Sequence, residues 1–546
     1  MRKTFLKTIN AGLQRHAMSV CSKWAEKSRV MGAPFPGPWS FTHHPWLRDM
    51  HDSKYEICVG RKAAQMGFTE CALNETLFTM DILRRDCLYL LPAKTPDATD
   101  FSAARFNPAL ELSPYLADLF SDVSNIGHKR AGAVNLYIRG SRSRAGLKSI
   151  PVSFIVFDEV DEMDQENVPL ALERQSGQVH KKAWFISTPT VEDKRIDEWF
   201  KRSTQKHFFF PCPHCGRSIE LTYPKCLKIV TDDPNDPAIK NSYLMCPECE
   251  HALDHTHKSE FLSGGIWVPE QPTYDIDGFT INQMYSPTLT PGELARYVLL
   301  APLSPAKEQE FFNSKLGLPH TVAGAKISLK EIEACKGGYQ MCAPSGDKVV
   351  TVGIDVGTYL NYAVAEWTIT PSPDINMGAR SKLLEAGTVR NFEDLHAIMA
   401  QHKPNYTVID ANPERRKSFE FAQKYWGAVS MCFYGNSSNG KQITKTKDRD
   451  GTELELAVTV DRTSWLDLTL GRFKNQKITI PTDLPRDFSD HISALVRRYK
   501  ENRSGISVGT YENYGPDHYA HALTYAEIAL NMLGGIGSVE NTESPR

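Results

Sequence analysis

From Tyr55 to Phe200, short apolar runs alternate with stretches whose apolar positions recur at helical spacing. Tyr55–Gly60, Cys87–Leu91, Val152–Phe157 and Ala183–Ser187 predict buried strands, and Thr69–Leu83 and Asp193–Ser203 predict helices. Strands that alternate with helices imply a largely parallel sheet, hence an α/β domain. The rhythm breaks over His207–His257, where cysteine pairs and proline-rich turns replace it, and Gly264 to Gly317 is of mixed character. Gly337–Lys348, with two adjacent glycines and a Pro-Ser-Gly turn, reads as a linker. A second α/β pattern follows it. Val349–Val356, Tyr362–Ile369 and Leu383–Val389 predict three successive strands. A helix (Glu393–His402), a strand (Thr407–Ala411), a helix (Glu414–Trp426) and a late helix (Asp517–Leu533) come next. The expected division is an N-terminal segment (1–40), a first core (41–206), a cysteine-bearing module (207–257), a lid or connecting region (258–336), the linker (337–348), a second core (349–533) and a disordered tail (534–546).

Composition changes this picture little. At 546 residues the chain exceeds one hydrophobic core, and its 41% hydrophobic and 23% charged residues are ordinary for a soluble protein. No run of 18 apolar residues occurs, so no membrane span is expected, and Met1 to His16 lacks the apolar core of a secretory signal. A net charge of −2 argues against a passive nucleic-acid coat but leaves room for an enzyme touching DNA through a local basic groove. Arg139, Arg142, Arg144 and Lys148 could supply one, or form a solvated loop. Four of the twelve cysteines make two Cys-x-x-Cys pairs, a reduced, intracellular pattern with one metal site.

The first predicted strand runs into Arg61-Lys-Ala-Ala-Gln-Met-Gly-Phe-Thr-Glu70 and a helix. A strand, turn and helix N-terminus form an anion cradle of converging N–H groups. Gly60 is too early for the spacing of a standard P-loop, Gly67 and Thr69 sit properly, and Phe68 occupies the usual place of the lysine. Lys62 is then the candidate for the β/γ-phosphates. The strand ending at Phe157 delivers two carboxylates, Asp158 and Glu159. In P-loop enzymes the first holds Mg²⁺ and the second polarises water, although a strand simply exiting into an acidic loop with Asp161, Glu162 and Asp164 competes. The strand ending in Ser187 and Thr188 matches the place where helicase-like motors couple γ-phosphate state to movement. Three elements in this order predict a P-loop (ASCE/RecA-like) ATPase.

Cys212-Pro-His-Cys215 and Cys246-Pro-Glu-Cys249 are separated by 30 residues. Closed tetrahedral coordination by four sulfurs predicts a structural Zn²⁺, with His214 and His251 as bystanders. In the second half, Asp355 lies within an apolar strand and Asp410 ends a later one. Asp517 and His521, four apart, share a helical face. Such a set can hold two divalent metals about 4 Å apart for phosphodiester cleavage. The element order is that of a ribonuclease H-like fold. The rival, an actin-like ATPase, offers no reason to follow another ATPase.

These residues resemble the GpA-type large terminase subunits of tailed bacteriophages. The motifs concerned are Lys62 to Glu70, Gly140-Ser-Arg-Ser143 with Leu147, Phe157-Asp-Glu-Val-Asp161, Ser187-Thr-Pro189, the cysteine pairs and Phe312-Asn-Ser-Lys-Leu-Gly317, within a resemblance spanning roughly Phe41 to Leu530. The resemblance implies an α/β chain with an ATPase core, a four-cysteine zinc-binding insertion and a C-terminal ribonuclease H-like nuclease. It also implies a motor that packages double-stranded viral DNA into a procapsid and cuts concatemeric genomes. Lys62, Gln65, Gly67, Thr69 and Asp158 would bind ATP with Mg²⁺, and Glu159 would activate water. Ser187 and Thr188 would couple, and one of Arg139, Arg142 and Arg144 would act in trans. Asp355 and Asp410 would be the first two nuclease ligands for Mg²⁺ or Mn²⁺. The family's last helix reads His-x-x-Asp-Ala, and here His521 replaces the aspartate, so Asp517 or His521 takes the third position. Implied partners are a small terminase subunit, a portal protein and further copies in a ring on the portal, in the host bacterial cytoplasm. The alternatives are a helicase-like translocase-nuclease of repair or defence, which would carry a second motor lobe, and an inert zinc-bearing scaffold.

Overall fold

The computed structural model describes residues 18–120, 123–148, 150–346, 348–372, 374–435, 442–447, 450–502 and 504–533. The tail expected to be disordered, 534–546, lies outside the described residues, as does Met1 to His16. The chain divides into two compact units, Met1–Val322 and Ala323–Arg546.

The first unit is built on β1 (Ile57–Lys62), α1 (Phe68–Asp81), β2 (Cys87–Leu91), β3 (Val134–Gly140), β4 (Phe154–Asp158), β5 (Lys182–Ser187), β6 (Lys206–Pro211) and β7 (Ile276–Ile281). These seven strands pair in parallel in the order β6-β7-β1-β5-β4-β2-β3, with shorter antiparallel strands at both edges. Burial on both faces explains the continuous apolar runs of β2 and β4, every residue of which is buried. Phe157 and Phe185 stack across β4 and β5 with ring centroids 4.6 Å apart. β1 extends two residues past the predicted end at Gly60. Arg61 and Lys62 interrupt the apolar run but keep pairing with Thr280 and Ile281 of β7. The helix expected over Asp193–Ser203 is shorter, Ile196–Lys201, because Asp193 and Arg195 adopt positive φ (58° and 53°).

The second unit carries an eight-stranded mixed sheet. Its elements are β8 (Val349–Val356), β9 (Leu360–Ile369), β10 (Ala379–Val389), α2 (Phe392–His402), β11 (Tyr406–Asp410), α3 (Arg415–Lys424), β12 (Val429–Gly435), β13 (Glu453–Asp461), α4 (Arg462–Lys474) and α5 (His518–Leu533). β8, β9 and β10 form an antiparallel meander. β11, β12 and β13 extend the other side of β8 in parallel. α5 lies against β8 so closely that a Cβ at Gly353 would stand 1.9 Å from the Ala522 carbonyl oxygen and 2.3 Å from the Ala526 nitrogen. Only glycine admits that approach. The expected middle position of Asp355 is corrected: it is the penultimate residue of β8, because the hairpin to β9 turns directly after Val356.

The division between the units falls at 322/323, ahead of the expected linker. Ile327, Ile332 and Cys335 are buried in the second unit's core, and Lys336 bridges to Ile480. Gly337–Lys348 contains no helix or strand among its described residues. It is nevertheless tied down, with the Gly337 N–H donating to the Ile480 carbonyl and the Cys342 N–H to that of Leu384. α4 and the antiparallel hairpin Leu495–Glu501/Ser507–Asn513 had no counterpart in the sequence pattern.

Candidate functional site

In the first unit the chemistry gathers at the C-terminal ends of β1, β4 and β5. β5 lies between the strand that enters the phosphate loop and the strand that ends in Asp158. Gln65 (φ 61°) and Gly67 (φ 82°) are both left-handed in the loop, and Gly67 caps α1. Phe68, in the usual lysine position, is buried. A Cβ at Gly60 would lie 2.5 Å from its ring, so the aromatic takes space that β1 vacates. Lys62, at the end of β1, has its Nζ 3.1 Å from Glu159 Oε1 and 3.5 Å from Thr188 Oγ1. Thr69 Oγ1 donates to Asp158 Oδ1 (3.2 Å) and the Tyr89 hydroxyl to Asp158 Oδ2 (2.7 Å). Burial, followed by the neighbouring Glu159 charge, raises the Asp158 carboxyl to about 6 against the pull of Lys62, Tyr89 and Thr69. Glu159 has φ 61°, unusual for a side-chain-bearing residue. Its Oε2 accepts from Ser187 Oγ at 3.3 Å.

The acidic loop that competes with a catalytic reading has its own structural use. Asp161 is buried and accepts from the Thr190 N–H, the Thr190 hydroxyl and the Ile196 N–H. Burial pushes it up to about 7 although those donors pull it down. All five residues expected to bind ATP therefore stand together, with Glu159, Ser187 and Thr188 beside them. A cavity of ≈ 490 Å³ opens over them, lined also by Phe35, His43 and Arg105. Phe35 and His43 stack with centroids 4.1 Å apart. These three residues and Tyr89 escaped the sequence reading, since none belongs to a recurring spacing.

The motif from Phe312 to Gly317 fastens this site from behind. The Ala64 N–H donates to the Ser314 carbonyl, Asn313 Nδ2 donates to the Thr190 carbonyl, and a Cβ at Gly317 would stand 2.6 Å from the Ala63 nitrogen. Of the three arginine candidates, Arg139 directs its guanidinium to the Gly127 and Ile138 carbonyls. Arg142 and Arg144 are exposed just beyond the end of β3, and Lys148 is exposed four residues on.

Cys212, Cys215, Cys246 and Cys249 converge with all four sulfurs within 4.8 Å of one another, Cys212 to Cys249 at 3.9 Å and Cys215 to Cys246 at 4.0 Å. Tetrahedral Zn–S bonds of about 2.3 Å put sulfurs roughly 3.8 Å apart, so the donor set fits that ion. Each knuckle turns an N–H onto its first sulfur: His214 to Cys212 and Glu248 to Cys246, both at 3.4 Å. His214 and His251 stack on each other at 5.1 Å and lie outside the sulfur cluster.

In the second unit the register Ile354↔Ile409, continued by one residue, sets Asp355 and Asp410 side by side at the C-terminal ends of parallel strands. Burial, then the Asp355 charge, raises Asp410 to about 6. Asp355 Oδ2 lies 2.9 Å from His518 Nδ1, and that contact raises the histidine. His521 faces Asp517 Oδ2 through Nε2 (3.2 Å) and the Tyr434 hydroxyl through Nδ1 (2.9 Å). Burial would raise Asp517, but the His521 hydrogen bond and charge, with Arg462, hold it below the usual carboxylate range. The four candidate nuclease residues thus occupy one end of one sheet. His518, Tyr434 and Arg462 join them unforeseen, because their partners are distant in sequence.

A phosphate loop facing an Asp-Glu strand end, followed by a ribonuclease H-like unit with carboxylates on β8 and β11, defines the class of an ATPase joined to a metal-dependent nuclease. The family models place it further. "Phage terminase large subunit gpA, ATPase domain" matches residues 33–267 and "Terminase large subunit gpA, endonuclease domain" matches residues 276–371, together more than half the chain. The chain belongs to the GpA-type large terminase subunits of phages and carries both enzymatic domains. No curated protein sequence matches it.

Among solved structures, the large terminase from a thermophilic bacteriophage, in its crystal form 2, is similar at 12% identity (TM-score 0.32), covering 89% of this chain and 98% of that one. The Thermus phage P74-26 large terminase ATPase domain is similar at 13% identity (TM-score 0.30), covering 50% and 92%. The large terminase nuclease of thermophilic phage G20c with bound magnesium is similar at 14% identity (TM-score 0.22), covering 34% and 82%. No helix among the described residues is long and apolar enough to cross a membrane.

Proposed function

We propose that the chain's two activities serve one task, with ATP hydrolysis in the first unit driving viral DNA into a procapsid and the second unit cutting the concatemer. The carrying observation is the meeting of Lys62, Thr69, Asp158, Glu159 and Thr188 at one cavity. Lys62 contacts the phosphates from β1, and the left-handed turn at Gln65 and Gly67 aims N–H groups at them. Thr69 and Asp158 would hold Mg²⁺, which supplies neutralisation of phosphate charge when bound. Glu159 orients and deprotonates the attacking water, and Ser187 and Thr188, hydrogen-bonded to it, sense its position. Arg142 and Arg144, exposed at the same sheet edge, fit the arginine acting in trans better than Arg139, whose donors already serve carbonyls.

For the nuclease, Asp355, Asp410 and Asp517 are the carboxylates offered to Mg²⁺ or Mn²⁺. His521 orients Asp517, since both imidazole nitrogens face partners in a buried setting. A small terminase subunit, a portal and a ring of copies on it in the host cytoplasm complete the reading. Its test is a DNase-protection assay with procapsids, portal-bearing and portal-free. ATP should protect DNA only with this chain and a portal present, and a non-hydrolysable analogue should not. Protection without hydrolysis would sink the motor.

The four cysteines hold a structural Zn²⁺ in this reading. One zinc per chain should be released by a thiol-reactive mercurial. Cys246→Ser should lose that zinc and make residues 207–257 protease-sensitive, since structural sites of this kind bind with about 10–16 kcal/mol. Zinc-free protein of undiminished protease resistance would argue against it.

A further inference from the structure

The first turn of α3 bears three consecutive cations, Arg415, Arg416 and Lys417, and no acidic residue. A helix N-terminus is its positive end, so cations there work against the helix's own stability. Their conformation also exposes them: the Arg416 side chain is 91% exposed and that of Lys417 54%. Both reach Glu420 on the same helix, at 2.9 and 3.5 Å, and exposed pairs of this kind are readily exchanged. Arg415 has no ion-pair partner among the described residues, and its guanidinium stands 5.5 Å from the Phe433 ring. That ring follows Cys432, the β12 residue paired with Asp410. The turn is also fixed to the carboxylate strand itself, since buried Ser418 donates its hydroxyl to the Asp410 carbonyl at 2.8 Å. Three outward cations are thereby held within one short connection, Ala411 to Glu414, of a nuclease carboxylate.

Resting on the nuclease reading, we infer that this turn of α3 is the surface that grips the DNA being cut, binding phosphates of duplex DNA beside the scissile bond. Each phosphate neutralised by a cation releases condensed counterions, so contacts are countable from salt dependence. The test uses the full chain carrying Asp355→Asn, without divalent metal, so that binding is read apart from cleavage. A fluorescein-labelled duplex of about 30 base pairs is titrated by anisotropy between roughly 50 and 200 mM salt. Adding Arg415→Ala, Arg416→Ala and Lys417→Ala should make the negative slope of log K against log salt shallower by about 2 to 3 and weaken binding roughly tenfold or more. Lys403→Gln, at the opposite end of the parallel strands, should leave the slope unchanged. An unchanged slope in the triple variant, with thermal unfolding as in the parent, overturns the proposal. So does an equal fall with Lys403→Gln, which would mark general charge rather than a surface. Failure of the nuclease reading shows separately, as normal cleavage by Asp355→Asn.

Discussion

Replacing Glu159 by Gln is expected to lower DNA-stimulated ATP hydrolysis by about 10²- to 10⁴-fold, the usual worth of a positioned general base, while ATP binding persists. The substitution keeps the shape and one of the two acceptor oxygens, which take Lys62 at 3.1 Å and Ser187 at 3.3 Å, but it removes the group that can take a proton. The fold should tolerate it. The Glu159 side chain is 40% exposed, so solvent screens its end of the ion pair with the buried Lys62. Phosphate release at saturating ATP and binding of a fluorescent nucleotide separate the two quantities. Retained hydrolysis with normal binding would remove Glu159 from the mechanism and leave the acidic turn with a structural use alone, like that of Asp161.

Asp355→Asn should abolish Mg²⁺- or Mn²⁺-dependent DNA cleavage, by about 10³-fold or more, and leave ATP hydrolysis in place. Metal stabilisation of phosphodiester transition states is worth several kcal/mol, and each step of about 1.4 kcal/mol is a decade. Asp355 stands beside Asp410 on the neighbouring strand, and its charge raises the Asp410 carboxyl. The change is isosteric, and its loss of charge also releases His518 from the 2.9 Å contact with Asp355. Nicking of supercoiled plasmid beside phosphate release from ATP reads both halves of one preparation. Cleavage at the normal rate would place the metal site elsewhere; loss of both activities would indicate a folding defect.

The parallel core and the carboxylates at its strand ends were legible because burial on both faces writes unbroken apolar runs, against which those carboxylates stand out. The four-cysteine cluster was legible because a two-residue gap lets both sulfurs of a pair reach one point, and two such pairs occur. Less could be read where function depends on residues distant in sequence. Tyr89 reaches Asp158 across 69 positions, and Tyr434 reaches His521 across 87. No periodicity records such meetings. Boundaries failed for a related reason. Arg61 and Lys62 look like the end of a strand by polarity, yet their backbones stay paired. The expected linker at 337–348 has the right composition, but the preceding residues 323–336 belong to the second unit's core, where Ile327 and Ile332 are buried.

In the proposed motor, the position of Lys62 on β1 has a mechanical consequence for nucleotide exchange. A lysine at the start of a helix travels with that helix whenever the loop before it rearranges. Lys62 instead sits at the end of a strand held on one side by β5, up to Arg61↔Ser187, and on the other by β7, through Lys62↔Ile281. Ala63 and Ala64 are fastened too, to the Ile281 and Ser314 carbonyls, so any rearrangement of the loop is left to residues 65–67 while the charge stays anchored to the sheet. An incoming triphosphate, in the proposed motor, would meet a charge that does not travel with the loop.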